Sequence, residues 1–251
     1  ALREYGLRFD GASPRQLEVT EEERRAALAE VEPEFIEILK EAADNIRSYH
    51  SRQVKSGYVI DDKDGIVLGQ KVTPIASVGL YIPGGTASYP SSVLMNCIPA
   101  KIAGVGRIVM TTPTDKNGDI NPNIIAAAEI AGVDRIFKCG GAQAIAALAY
   151  GTESILNVDK IVGPGNAYVA EAKRQVFGIV GIDMIAGPSE VLAIADGKSD
   201  PVVLAADLLS QAEHDKLATA VLITDSEELA GRVAEEIENQ LKQLPREEIA
   251  R

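Results

Sequence analysis

From residue 77 onward, apolar runs of strand length alternate with helical segments, and most of the runs end at a turn built on glycine. Candidate strands are residues 77–82, 107–111, 135–138, 160–162, 182–185, 191–194 and 220–223, with candidate helices at 92–103, 122–131, 142–149 and 167–177 between several of them. Such alternation requires crossover connections and therefore parallel strands. The fold class read from it is α/β, with two Rossmann-like lobes of mostly parallel sheet flanked by helices. The turns Pro83-Gly84-Gly85, Gly140-Gly141, Gly163-Pro164-Gly165-Asn166 and Gly187-Pro188-Ser189 each lie just past the carboxyl end of a candidate strand. That is the edge at which open α/β sheets bind ligands.

An N-terminal helical segment precedes this region. Thr20 and Glu23 form a capping box, and Phe35, Leu39, Ala42, Ile46 and Tyr49 recur at helical spacing up to His50. Asp200 followed by Pro201 reads as the start of a deeply packed helix running to His214, and residues 226–244 read as an amphipathic surface helix. The expected division is residues 1–80 as N-terminal helices and the first part of lobe 1, 81–189 as a nucleotide-binding lobe 2, and 190–251 as the remainder of lobe 1. The last residues, Pro245 to Arg251, look like the beginning of a helix cut short.

The net charge of -12 argues against nucleic acid or an anionic membrane as the main partner. With no run of about 18 apolar residues and no signal-peptide pattern at the start, the chain reads as cytoplasmic. Cys97 and Cys139 are too few for a disulfide framework and read as small buried apolar residues.

The turn Gly163-Pro164-Gly165-Asn166 follows a strand and opens a helix, the placement of a phosphate or nucleotide turn. It departs from G-x-G-x-x-G because position 168 is Tyr, and a tight strand-to-helix connection alone would select the same residues. Gln143 and Asn166 carry amides able to bond a ribose or carboxamide, although capping by itself accounts for Asn166. Ser189 lacks the G-x-S-x-G frame of a nucleophile elbow, which leaves a substrate hydrogen bond or simple turn chemistry. Gln211 and His214 stand three residues apart and can aim an amide oxygen and an imidazole nitrogen at one point, half of a metal site. Helix propensity and the dipole favour the same two residues without a metal.

Five blocks taken together carry a resemblance: Gly79-Leu80-Tyr81-Ile82-Pro83-Gly84-Gly85, then residues 140–148 from Gly140-Gly141-Ala142-Gln143, then Asp159-Lys160-Ile161-Val162-Gly163-Pro164-Gly165-Asn166, then Gly187-Pro188-Ser189-Glu190-Val191-Leu192, and Asp207-Leu208-Leu209-Ser210-Gln211-Ala212-Glu213-His214. In this order they resemble histidinol dehydrogenase across essentially the whole chain. The resemblance implies NAD and zinc as cofactors and oxidation of L-histidinol through histidinaldehyde to L-histidine. It places Tyr81, Gln143 and Asn166 on NAD, Ser189, Gln211 and His214 on the substrate, and Gln211 and His214 on zinc. Members are homodimers with a further C-terminal portion that carries a Glu-His acid-base pair and two more zinc ligands. No histidine follows His214 here, so the expectation is a chain that is inactive alone, holds zinc poorly and associates abnormally. The alternative is a non-enzymatic nucleotide-binding or assembly module.

Overall fold

Two faces of one parallel sheet organise the larger part of the molecule. The computed structural model describes residues 1–84, 89–186, 189–214 and 216–251, and these divide into a unit Ala1–Ile185 and a unit Ala186–Arg251. The first begins with the short helix α1 (Leu2–Tyr5), a π-helical turn over Gly6–Asp10, α2 (Glu21–Glu30) and α3 (Pro33–His50). The expected capping box is present: Thr20 Oγ1 accepts from Glu23 N at 3.2 Å and the Glu23 carboxylate accepts from Thr20 N at 2.7 Å.

An antiparallel hairpin, β1 (Tyr58–Lys63) and β2 (Ile66–Gln70), follows, all of it exposed. The sequence reading missed it although Asp64-Gly65 between two apolar runs is a strong hairpin signal. Then come β3 (Ser77–Tyr81), α4 (Pro90–Ile102), β4 (Arg107–Thr112), α5 (Pro122–Ala131), β5 (Arg135–Lys138), α6 (Gly141–Tyr150), β6 (Lys160–Val162), α7 (Ala167–Val176) and β7 (Gly181–Ile182). The five later strands form one sheet in the order β5-β4-β3-β6-β7, parallel at every pairing.

Burial on both faces explains why these strands read as continuous apolar runs. Val78, Leu80, Ile82, Ile108, Met110 and Ile136 pack into a core with α2, α3, α4 and α5. The alternate residues Tyr81, Val109, Phe137 and Ile161 enter a second core with α6 and α7. Residues 17–19 run antiparallel beside β5, with Val19 N donating to Ile136 O at 2.9 Å and Lys138 N to Leu17 O at 2.7 Å, which covers that sheet edge. The central strand β3 spans residues 80 and 81, on either side of the boundary drawn from the sequence.

The second unit is β8 (Glu190–Ala195), α8 (Pro201–Ala212), β9 (Thr219–Thr224), α9 (Glu227–Leu241) and a last turn α10 (Glu247–Ala250). Strands β8 and β9 are parallel in full register. Ala193, Ala205, Leu208, Leu229 and Val233 form its core. The expectation of a deeply packed α8 is corrected here. Only one stripe, including Pro201, Ala205, Leu208 and Leu209, is buried, while Val202 and Val203 face outward, because a two-stranded sheet offers one apolar surface to the helix. Tyr49 is likewise exposed rather than packed with Leu39 and Ile46.

Candidate functional site

Parallel pairing puts the carboxyl ends of β3, β4, β5 and β6 on one edge, since Tyr81 lies beside Thr111, Thr112 beside Lys138 and Leu80 beside Val162. The turns after β5 and β6 and the first residues after β3 therefore share that edge. Gly85 and the residues up to 88, like Gly187 and Pro188, lie outside the described residues.

Close backbone approach explains two of the glycines. At Gly163 φ is +112°, and a Cβ would sit 2.1 Å from the Tyr81 carbonyl oxygen. At Gly140 a Cβ would meet the Pro113 ring at 2.5 Å. Neither position admits a side chain, so the strand ends crowd together in a way that leaves backbone amides at the edge.

Tyr81 is buried beneath this edge, and its hydroxyl accepts from Gly141 N at 3.0 Å, which ties the end of β3 to the start of α6. Burial pushes its phenol up to about 12, so the hydroxyl keeps its proton and has a hydrogen left to donate. Gln143, in the first turn of α6, is half-buried with its amide folded over Gly141. Asn166 caps α7: its Oδ1 accepts from Tyr168 N and Val169 N, each at 3.1 Å. The capping expectation for Asn166 is met, and because the residue is exposed its amide nitrogen is the part it can turn to a ligand.

A cavity of about 600 Å³ opens at the ends of β3 and β4, lined by Glu23, Pro83, Gly84, Thr112, Pro113 and Lys138 among others, and not by Tyr81, Gln143 or Asn166. Its size is that of a small-molecule pocket. The Lys138 ammonium pairs with the Glu23 carboxylate there. Cys139 borders the edge, but burial drives its thiol up to about 12, as it does for Cys97, and neither is a ready nucleophile.

In the second unit Ser189 is exposed immediately before β8. Gln211 stands half-buried in the last turn of α8, and His214 follows two residues past the helix end, exposed, its backbone N–H donating to Gln211 O at 3.1 Å. The two side chains thus belong to one terminal turn. Among the described residues no group of three His, Cys, Asp or Glu gathers to hold a metal ion, so a four-coordinate zinc would need donors in addition to this pair.

The model of the histidinol dehydrogenase family matches residues 1–251. The chain belongs to the histidinol dehydrogenase family. It is 58% identical over 249 residues to histidinol dehydrogenase of Clostridium acetobutylicum, covering 99% of this chain and 58% of that protein. Against the same protein of Geobacillus kaustophilus the identity is 59% over 250 residues, covering 100% and 59%. The crystal structure of histidinol dehydrogenase from Elizabethkingia anophelis matches with a TM-score of 0.95 at 44% identity, over 99% of this chain and 58% of that one. The chain therefore spans somewhat more than half the length of these relatives. An NAD-dependent benzaldehyde dehydrogenase from Corynebacterium glutamicum shares the fold alone, at a TM-score of 0.55 and 17% identity over 98% of this chain and 58% of that one.

Within the family frame, sequence reasoning overlooked Lys173. It sits with Val169 and Val176 on the buried face of α7, and a lysine at a core position of an amphipathic helix was a visible signal. Its partner Asp183 lies beyond the next strand, a pairing that spacing does not reveal.

Proposed function

We propose that the chain forms the nucleotide-binding part of an NAD-dependent oxidation of L-histidinol to L-histidine through histidinaldehyde. The observation that carries this reading is the gathering of Tyr81, Gln143, Asn166 and two glycine turns along one carboxyl sheet edge. NAD, when bound, supplies the hydride acceptor. The chain's own groups then orient it: the Asn166 amide nitrogen and the Gln143 amide donate or accept at the sugar or carboxamide, and Tyr81 holds the α6 turn in place. The positive dipole ends at the starts of α6 and α7 favour a phosphate.

Gln211 and His214 contribute two zinc ligands in this reading, with Ser189, Gln211 and His214 toward histidinol. In this reading neither His50 nor His214 is the acid-base histidine, which another part of the complete enzyme supplies. We therefore expect little histidinol oxidation by the 251 residues alone, and a homodimer as the assembly of the complete enzyme.

Calorimetric titration of the chain with NAD, then with histidinol and zinc, tests the reading. Saturable NAD binding, weakened about tenfold by Gln143→Ala as expected for a lost ligand hydrogen bond, supports it. Absence of any saturable heat with NAD overturns it. NAD binding without zinc-dependent histidinol binding favours a nucleotide-binding module. Rapid histidinol-dependent NADH formation by the purified chain would refute the need for added groups.

A further inference from the structure

Lys173 is almost entirely buried, with 1% of its surface exposed, and its ammonium donates to Gly163 O at 3.0 Å and pairs with the Asp183 carboxylate. The other Asp183 oxygen accepts from Gly163 N at 2.8 Å. Both peptide groups of Gly163 are thus held by one ion pair, its N–H by the acid and its C=O by the lysine. Asp183 is itself fixed, because its N–H donates to Ile161 O at 3.2 Å and its Oδ1 accepts from Met184 N at 2.6 Å. Every one of these groups lies in the first unit.

An ammonium buried this deep against a partly accessible carboxylate is a costly way to stabilise a core, and apolar side chains of similar volume often do as well. What the pair adds is geometry. Gly163 occupies a left-handed conformation at φ +112°, and the pair fixes the directions of its carbonyl and its amide where the chain turns toward Asn166. We propose that Lys173 and Asp183 are positioning residues, an ion-pair clamp that fixes the Gly163–Asn166 turn in its ligand-ready form and thereby sets nucleotide affinity. This rests on the nucleotide reading for its second half, while the clamp itself does not.

The test compares Lys173→Met with Leu39→Ala, a core substitution in α3 chosen as a control for general destabilisation, at temperatures equally far below each variant's thermal midpoint. Hydrogen-deuterium exchange across residues 163–169 reports the clamp directly, and NAD titration reports its consequence. The expected result is faster exchange at the turn and about tenfold weaker NAD binding in Lys173→Met, because a turn no longer clamped must be ordered on binding, with Leu39→Ala close to wild type in both. Should Lys173→Met not fold, Asp183→Asn takes its place, since the amide keeps an oxygen for Gly163 N but removes the charge that holds the lysine. Equal exchange and equal affinity in the clamp variant and the control overturn the inference. A wild-type chain that binds no NAD sinks the nucleotide reading, while exchange still decides the clamp.

Discussion

Replacing Gly163 by alanine should be among the most damaging single-methyl additions to the sheet edge. The new Cβ would lie 2.1 Å from the Tyr81 carbonyl oxygen, about 1.3 Å inside ordinary contact at 3.4 Å, and also 3.1 Å from the Tyr81 carbonyl carbon. No side-chain rotation relieves this clash, because the Cβ position is fixed by the backbone just past β6 and the atom it meets is backbone of the neighbouring strand β3. Holding a non-glycine residue at φ +112° costs about 1–3 kcal/mol. Forcing the strand ends apart adds about 1–3 kcal/mol, as for overpacking elsewhere. With a urea dependence of about 2 kcal/mol per molar, a loss of about 2–6 kcal/mol lowers the urea midpoint by about 1–3 M. Gly178→Ala supplies the comparison, since Gly178 has φ +98° and nothing within 4 Å of its Cβ position, so only the conformational part applies. Urea unfolding followed by far-ultraviolet circular dichroism measures both variants. If Gly163→Ala is no worse than Gly178→Ala, the close approach of the two strand ends does not constrain that turn and the reasoning fails.

Thr20→Ala removes one side of the capping box and should cost about 1 kcal/mol in the same assay, with Thr20→Ser close to neutral. Cys97 and Cys139, both raised to about 12 by burial, should stay unmodified by a thiol reagent at pH 8 in the folded chain and react within the mixing time in urea; prompt labelling of the folded protein would contradict their burial. Acid stability should depend on Glu18 and Asp159. A hydrogen bond from Arg135 holds the Glu18 carboxyl below its ordinary 4.5, and hydrogen bonds from the Ser77 hydroxyl and amide hold Asp159 below its ordinary 3.8. Because both values are lowered on folding, their contribution is complete above those ordinary values and is lost as pH falls through the folded ones. Urea midpoints measured downward from about pH 6 should therefore fall less steeply in Glu18→Gln and Asp159→Asn, and unchanged pH slopes would count against it.

Local signals carried much of the fold. The parallel strands read as continuous apolar runs because both faces of the sheet are covered, and β5, β6 and α5 match their sequence-drawn bounds while β3 and β4 end within one residue of theirs. The capping box at Thr20, the Asn166 cap and the Asp200-Pro201 helix start were legible because each satisfies backbone groups only two or three residues away. The five blocks that point to the histidinol dehydrogenase family were likewise a property of the chain as written. Tertiary structure alone decided the rest. The Lys173–Asp183 pair, the hydroxyl of Tyr81 on Gly141 and the approach of Gly163 to Tyr81 join residues from different elements, and no spacing rule links them. Their physical cause is the packing of strand ends at one edge, where the absence of a Cβ at two turns lets backbone meet backbone and a buried lysine paired with Asp183 holds the result in place.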